Sequence, residues 1–135
     1  MKKLLLILCL ILCSCSTQPQ YTLYVYYANG CRVCDSLMKL VVNDIEDEYG
    51  KKIEVIRLDI DEEENIESYA KICSELKDYE LNEDSGEVPF LVLEGKFAKG
   101  GFDILETDRL KEAIINSIEG KQIPNGLNHV YYFKE

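Results

Sequence analysis

Residues 21–28, Tyr-Thr-Leu-Tyr-Val-Tyr-Tyr-Ala, are apolar on both faces of an extended chain. That pattern constrains the fold more than any other feature. A strand that is half polar can face water, whereas one apolar on both faces must be covered on both, as central strands of α/β sheets are. Asn29-Gly30 follows as a turn, then Cys31-Arg32-Val33-Cys34, then apolar residues at helical spacing from Asp35 to Tyr49. Strand, turn and helix therefore place one thiol on the turn and its partner one helical turn further in. Unpaired N–H groups and the helix dipole stabilise a thiolate at a helix start. A thiolate is the form that attacks disulfides, and a C-x-x-C inside a βαβ pattern is a redox signature.

The rest of the chain supplies the partners that such a strand needs. A first helix over about 33–49 puts Leu37, Leu40, Val41 and Ile45 on one face, with Gly50 as its C-cap. Residues 53–60 read as a second strand. A second helix starts within the acidic stretch 61–65 and runs to about 79, with Ile66, Tyr69, Ala70, Cys73 and Leu76 inward. Residues 80–87 form an acidic loop carrying Glu80, Glu83, Asp84 and Glu87. Val88 to Leu93 is a third strand, Glu94-Gly95 a hairpin turn, and 96–102 a fourth strand. The last helix covers 105–118, with Leu110, Ile114 and Ile118 inward, and Gly120 stops it. The tail, 120–135, either adds an edge strand at Val130-Tyr131-Tyr132-Phe133 or docks on the core.

With 135 residues, 47% of them hydrophobic and 30% charged, one globular domain of ordinary size is expected. The net charge of −10 argues against nucleic acid and anionic membrane surfaces as partners. Residues 1–14 read as a signal peptide: basic Lys2-Lys3, then an apolar run from Leu4 to Leu12, too short for the roughly 20 residues of a membrane span. Leu12-Cys13-Ser14-Cys15 resembles a bacterial lipobox, which implies that Cys15 is acylated and becomes the mature N-terminus. Residues 15–20 are then a lipidated cysteine and tether. The domain faces an extracytoplasmic compartment on a bacterial membrane, where disulfides persist. Without Lys2 and Lys3 the charge falls to −12.

The six cysteines divide evenly, with Cys9, Cys13 and Cys15 in the leader region and Cys31, Cys34 and Cys73 in the body. From the residues alone Cys31 and Cys34 are a redox dithiol, a structural disulfide or half of a metal site. Zinc would require two more ligands. Cys73 and His129 are what remains, at a spacing unlike a zinc knuckle. Cys73 reads as core, and His129 as a solvated tail residue. The redox reading has Cys31 as nucleophile and Cys34 as resolving thiol, and no metal or organic cofactor is needed.

The order β-α-β-α-β-β-α resembles a minimal thioredoxin-like fold over residues 21–119. Three motifs carry the resemblance: Cys31-x-x-Cys34 after the first strand, Val88-Pro89 opening the third, and Gly100-Gly101 ending the hairpin. It implies an α/β fold with a mixed four-stranded sheet and helices on both faces. It also implies a cis bond before Pro89, and substrate binding at Val88 and Pro89 by addition of an extended segment. The chain departs from thioredoxins at Gly30, where they have Trp, and at Arg32-Val33, where they have Gly-Pro. It departs again at Val25, where they bury an acid, so the proton acceptor for the resolving thiol is missing or supplied elsewhere. Arg57 stands about where they place a lysine. The implied activity is membrane-anchored thiol-disulfide oxidoreduction. The partners are protein thiols and disulfides, a redox-recycling partner and the membrane through its lipid, with no nucleic acid and a monomeric chain. The competing class is a binding or accessory lipoprotein that keeps the fold and locks the pair as an inert disulfide.

Overall fold

The computed structural model describes residues 18–81 and 86–135. The leader 1–14, Cys15 and the loop acids Glu83 and Asp84 lie outside the described residues. Strand β1 (Tyr21–Tyr27) pairs in parallel with β2 (Ile53–Asp59) and antiparallel with β3 (Phe90–Leu93). A hairpin turn with Gly95 in the left-handed region leads into β4 (Phe97–Gly100), antiparallel to β3. The sheet order is β2-β1-β3-β4-β5, with β5 at Val130–Tyr132. The structure is therefore α/β with one mixed sheet, the class expected for a thioredoxin-like fold.

The double-sided burial of β1 is explicit. Leu23 and Val25 enter a cluster with Leu37, Val41, Val42 and Ile45, and with Leu110, Ala113 and Ile114. Tyr26 points the other way, into a cluster with Tyr69, Cys73, Phe90, Val92 and Tyr131. The first face is covered by a continuous helical run: α1 (Arg32–Leu37), a π turn (Met38–Val42) and α2 (Asn43–Tyr49), joined by α4 (Thr107–Ile118). The π turn inserts an extra residue, with Asn43 N–H reaching back to Met38 O. Val41 and Val42 are both buried as a result, while Leu40 is only half-buried. Helix α3 (Glu63–Ser74) covers the second face.

Two sequence expectations are corrected. The sheet has five strands, not four, because the tail returns to pair Val130, Tyr131 and Tyr132 with Lys99, Ala98 and Phe97. An unpaired β4 edge would leave a row of unsatisfied backbone groups; β5 satisfies it and buries Tyr131 against the Tyr79 ring at 5.2 Å. Helix α3 ends at Ser74, not near 79. Beyond it the tail captures the backbone: Lys134 N–H donates to Glu75 O, Lys77 N–H donates to Tyr132 O, and Leu76 bridges Phe133. Asp78 then turns the chain with a φ of 59°.

Replacing Tyr131 by Ala removes a large buried ring that joins the tail to the second core. The expected loss is about 3 kcal/mol, read as a lower urea midpoint at unchanged slope. An unaltered midpoint would mean that the tail strand contributes nothing to stability.

Candidate functional site

The site lies where β1 ends. Ile60 N–H donates to Tyr27 O, and Cys31 N–H to Ala28 O at 3.3 Å, closing the turn over Asn29-Gly30. Gly30 has a φ of 77°, the left-handed conformation that glycine adopts most readily. Asp59, the last residue of β2, holds this turn. Its Oδ2 accepts from Asn29 Nδ2 at 2.7 Å, its Oδ1 from Asp61 N–H, and its carbonyl from the largely buried Asn65 side chain at 2.9 Å. Asp59, read only as part of the second strand, thus anchors the turn.

Cys31 and Cys34 form a disulfide with Cα atoms 5.2 Å apart. Cys31 is the N-cap of α1, and Cys34 N–H donates to its Sγ at 3.1 Å. The two residues differ in burial: Cys31 is half-buried, whereas Cys34 is 1% exposed. Arg32 and Val33 between them are exposed.

The Val88–Pro89 bond is cis. Tyr26 pairs with Phe90, so the same register, continued, sets Pro89 beside Tyr27 and Val88 beside Ala28. The fold therefore brings this segment and the Cys31 turn to one end of the sheet. Gly101 N–H donates to Pro89 O at 2.9 Å. The Glu87 carboxylate lies against Gly100 and Gly101, where a Cβ on either would collide with it. His129 is exposed, as read, and also has partners: its Nδ1 stands 3.1 Å from Glu87 Oε2, and its carbonyl accepts from Gly100 N–H. Tyr69 donates its hydroxyl to Glu87 O at 2.8 Å, and burial pushes that hydroxyl far above its ordinary pKa.

A second polar assembly braces the glycines. Lys99 is 2% exposed and donates from Nζ to Gly100 O and Gly101 O, at 2.9 and 3.3 Å. Its counter-ion is Glu106, whose Oε2 is 3.1 Å away. Glu106 also accepts from the backbone N–H of Asn128 and of Asp103, with which it forms a capping box ahead of α4. Val25, Leu91 and Lys99 form one row across β1, β3 and β4. Val25 carries no acid, and among the described residues the one buried carboxylate is Glu106. Sequence reasoning passed over this pair, although two signals were present: Lys99 shares the inward face of Phe97 by strand alternation, and Asp103-x-x-Glu106 has capping-box spacing. Arg57, by contrast, turns outward to Glu46 at 2.8 Å.

Cys73 is buried in the second core, as read. Among the described residues no three His, Cys, Asp or Glu side chains are arranged to hold a metal ion. No family model matches the chain, and no curated protein matches it.

Burial alone would raise the Glu106 pKa, but the Asn128 N–H, the Lys99 ammonium and the Asp103 N–H together hold it below the ordinary glutamate value. A depressed folded-state pKa contributes stability above the unfolded value, and that stability is lost as pH falls through the folded one. The wild type should therefore lose stability below about pH 4.5, partly through this group. Glu106→Gln strands Lys99 and should cost about 3–5 kcal/mol at neutral pH. It should also flatten the acid limb of urea midpoint against pH. An acid limb as steep as the wild type's would remove Glu106 from the account.

Proposed function

We propose that this chain is a thiol-disulfide oxidoreductase acting on protein thiols and disulfides through Cys31 and Cys34. One observation carries the reading: Cys31, half-buried and disulfide-bonded to the buried Cys34, caps a helix at the same end of the sheet as Val88–Pro89. Disulfide exchange needs an accessible sulfur for attack and a resolving sulfur shielded from side reactions.

In the oxidised form a substrate thiolate attacks Cys31 Sγ. A mixed disulfide forms, the Cys31–Cys34 bond breaks, and the electron pair leaves on Cys34, which takes a proton. A second substrate thiolate then attacks the mixed disulfide and releases Cys31. The substrate is oxidised by two electrons, the pair is reduced by two, and a disulfide-bearing recycling partner restores it. The reverse course begins with the Cys31 thiolate attacking a substrate disulfide, ends with Cys34 expelling the product, and requires a dithiol recycling partner. The Cys34 N–H favours the Cys31 thiolate in either course. Val88 and Pro89 are proposed to align the substrate as an extended segment. The competing reading is a binding or accessory lipoprotein with an inert disulfide.

Replacing Cys34 by Ala should leave substrates covalently trapped on Cys31, and Cys31→Ser should trap none. In the reduced wild type, Cys31 should be alkylated well before Cys34 and titrate below the ordinary thiol value. A reduction potential below about −300 mV, together with no trapped species, would instead assign the inert disulfide.

The proposed location is the extracytoplasmic face of a bacterial membrane, through acylation of Cys15. Cys15→Ala should release soluble protein or accumulate unprocessed precursor, read by fractionation. Unchanged membrane partition would refute acylation at Cys15 as the anchor.

A further inference from the structure

The chain enters the sheet at one end and carries its disulfide at the other. Gln20 N–H donates to Lys52 O at 2.8 Å, which fixes the entry beside the start of β2. Tyr21 pairs with Ile53 there, and the Glu94–Lys96 turn joins them, with Glu94 N–H donating to Thr22 O. Tyr27, the Cys31 turn and Pro89 lie at the far end. β1 spans seven residues at a rise of about 3.3 Å each, so its two ends are about 20 Å apart. Gln20 and the Cys31 turn extend past either end.

The two ends differ in charge. At the far end Asp61, Glu62, Glu63 and Glu64 follow β2, and Asp35 lies in the first turn of α1. All are exposed, and the exposed Arg32 stands against them. At the entry end Lys51 and Lys52 precede β2, and Lys96 and Lys121 line one hollow. Cations there balance acids such as Glu94 and Glu119, the latter paired with Lys121 at 2.7 Å. The entry end is thus mixed in charge, and the far end is acidic.

We infer that the entry end of the sheet faces the bilayer and the Cys31 end faces away, so that the exchange partners are polypeptides whose cysteines stand clear of the membrane surface, on soluble proteins or extramembrane domains. The inference rests on the acylation of Cys15 and the exchange activity proposed above. Acylation leaves residues 16–20 between the lipid and the sheet, a length of chain that reaches at most about 18 Å. Bringing the Cys31 end down to the headgroups would raise Gln20 more than about 20 Å above them, beyond that reach. The far end is also the one that an anionic bilayer repels. A cysteine held at headgroup level is therefore out of reach of Cys31.

The test uses the acylated full-length chain in vesicles of phosphatidylcholine and phosphatidylglycerol. Flotation is read first: a chain that does not float with the vesicles refutes the anchor, and this inference with it. Orientation is read by energy transfer to an acceptor lipid from a donor dye on Lys96→Cys or on Leu105→Cys, each combined with Cys31→Ser and Cys34→Ser. Both positions are exposed, Lys96 at the entry end and Leu105 shortly after Gly100-Gly101 at the far end, and Cys73 is buried. Transfer should be strong from Lys96→Cys and weak from Leu105→Cys, and equal or reversed transfer would overturn the inference. Reach is read with the wild type and a dithiol peptide, whose thiols are oxidised to a disulfide as Cys31–Cys34 is reduced. The peptide is coupled to lipid directly or through a Gly/Ser spacer of about 20 residues, with a mean reach of about 25 Å. The spaced peptide should exchange about tenfold faster or more. Inserting the same Gly/Ser length after Gln18 should abolish that difference. Equal exchange with both peptides at the native tether would also overturn the inference. Exchange with neither, nor with the free peptide, rejects the redox reading and the choice of partner with it, while the transfer result still decides which end faces the bilayer.

Discussion

Everything in this structure depends on burying both faces of β1. Leu23 and Val25 demand cover on one side and Tyr26 on the other. Parallel pairing with β2 requires a crossover, and the α1–π–α2 run supplies it over the first face. The return from β2 through α3 covers the second. With both faces occupied, the chain's irregular segments are left to the ends of the strands. The turn that carries Cys31 and the segment that carries Pro89 meet at one such end because Tyr26 is paired with Phe90. The site's location follows from strand register, and the register follows from which side chains must be inside.

Much of this was legible because its signals are local and periodic. The double-sided β1, the strand-turn-helix setting of Cys31-x-x-Cys34, the Glu94-Gly95 hairpin and the glycine stop at Gly50 are each written within a few neighbouring residues. What escaped depends on distant partners. β5 was one of two fates open to the tail; at three residues it is too short for alternation to decide between them, and the open edge of β4 decides it. The end of α3 is set by hydrogen bonds from a tail some 60 residues later. Ile66 and Ala70 have core periodicity, yet among the described residues no element covers them. Lys99 and Glu106 read as ordinary charges until the fold buries them against each other.

The two sides of the site are held with unequal strength. The Asn29–Asp59 hydrogen bond that steadies the Cys31 turn is exposed, and such a bond contributes about 0.5–1.5 kcal/mol net. The brace behind Gly100-Gly101 is a buried ion pair whose every polar atom has a partner, and stranding one member costs several times more. The Val88–Pro89 side is tied through Gly101 to Lys99 and through Tyr69 to α3.

Charge acts on the same site from two directions. The Cys34 N–H and the start of α1 favour negative charge on Cys31. Asp35 in the first turn, Glu87 beside Gly101 and a chain of net charge −10 oppose it. The first influence is a hydrogen bond at contact distance, which salt scarcely screens. The second is spread over exposed side chains, and ions screen it over about 10 Å at 0.1 M. In the exchange proposed above, the helix start therefore acts on the sulfur more strongly than the wider field does. The wider acidic field acts at longer range, opposing the approach of negative charge and favouring that of positive charge.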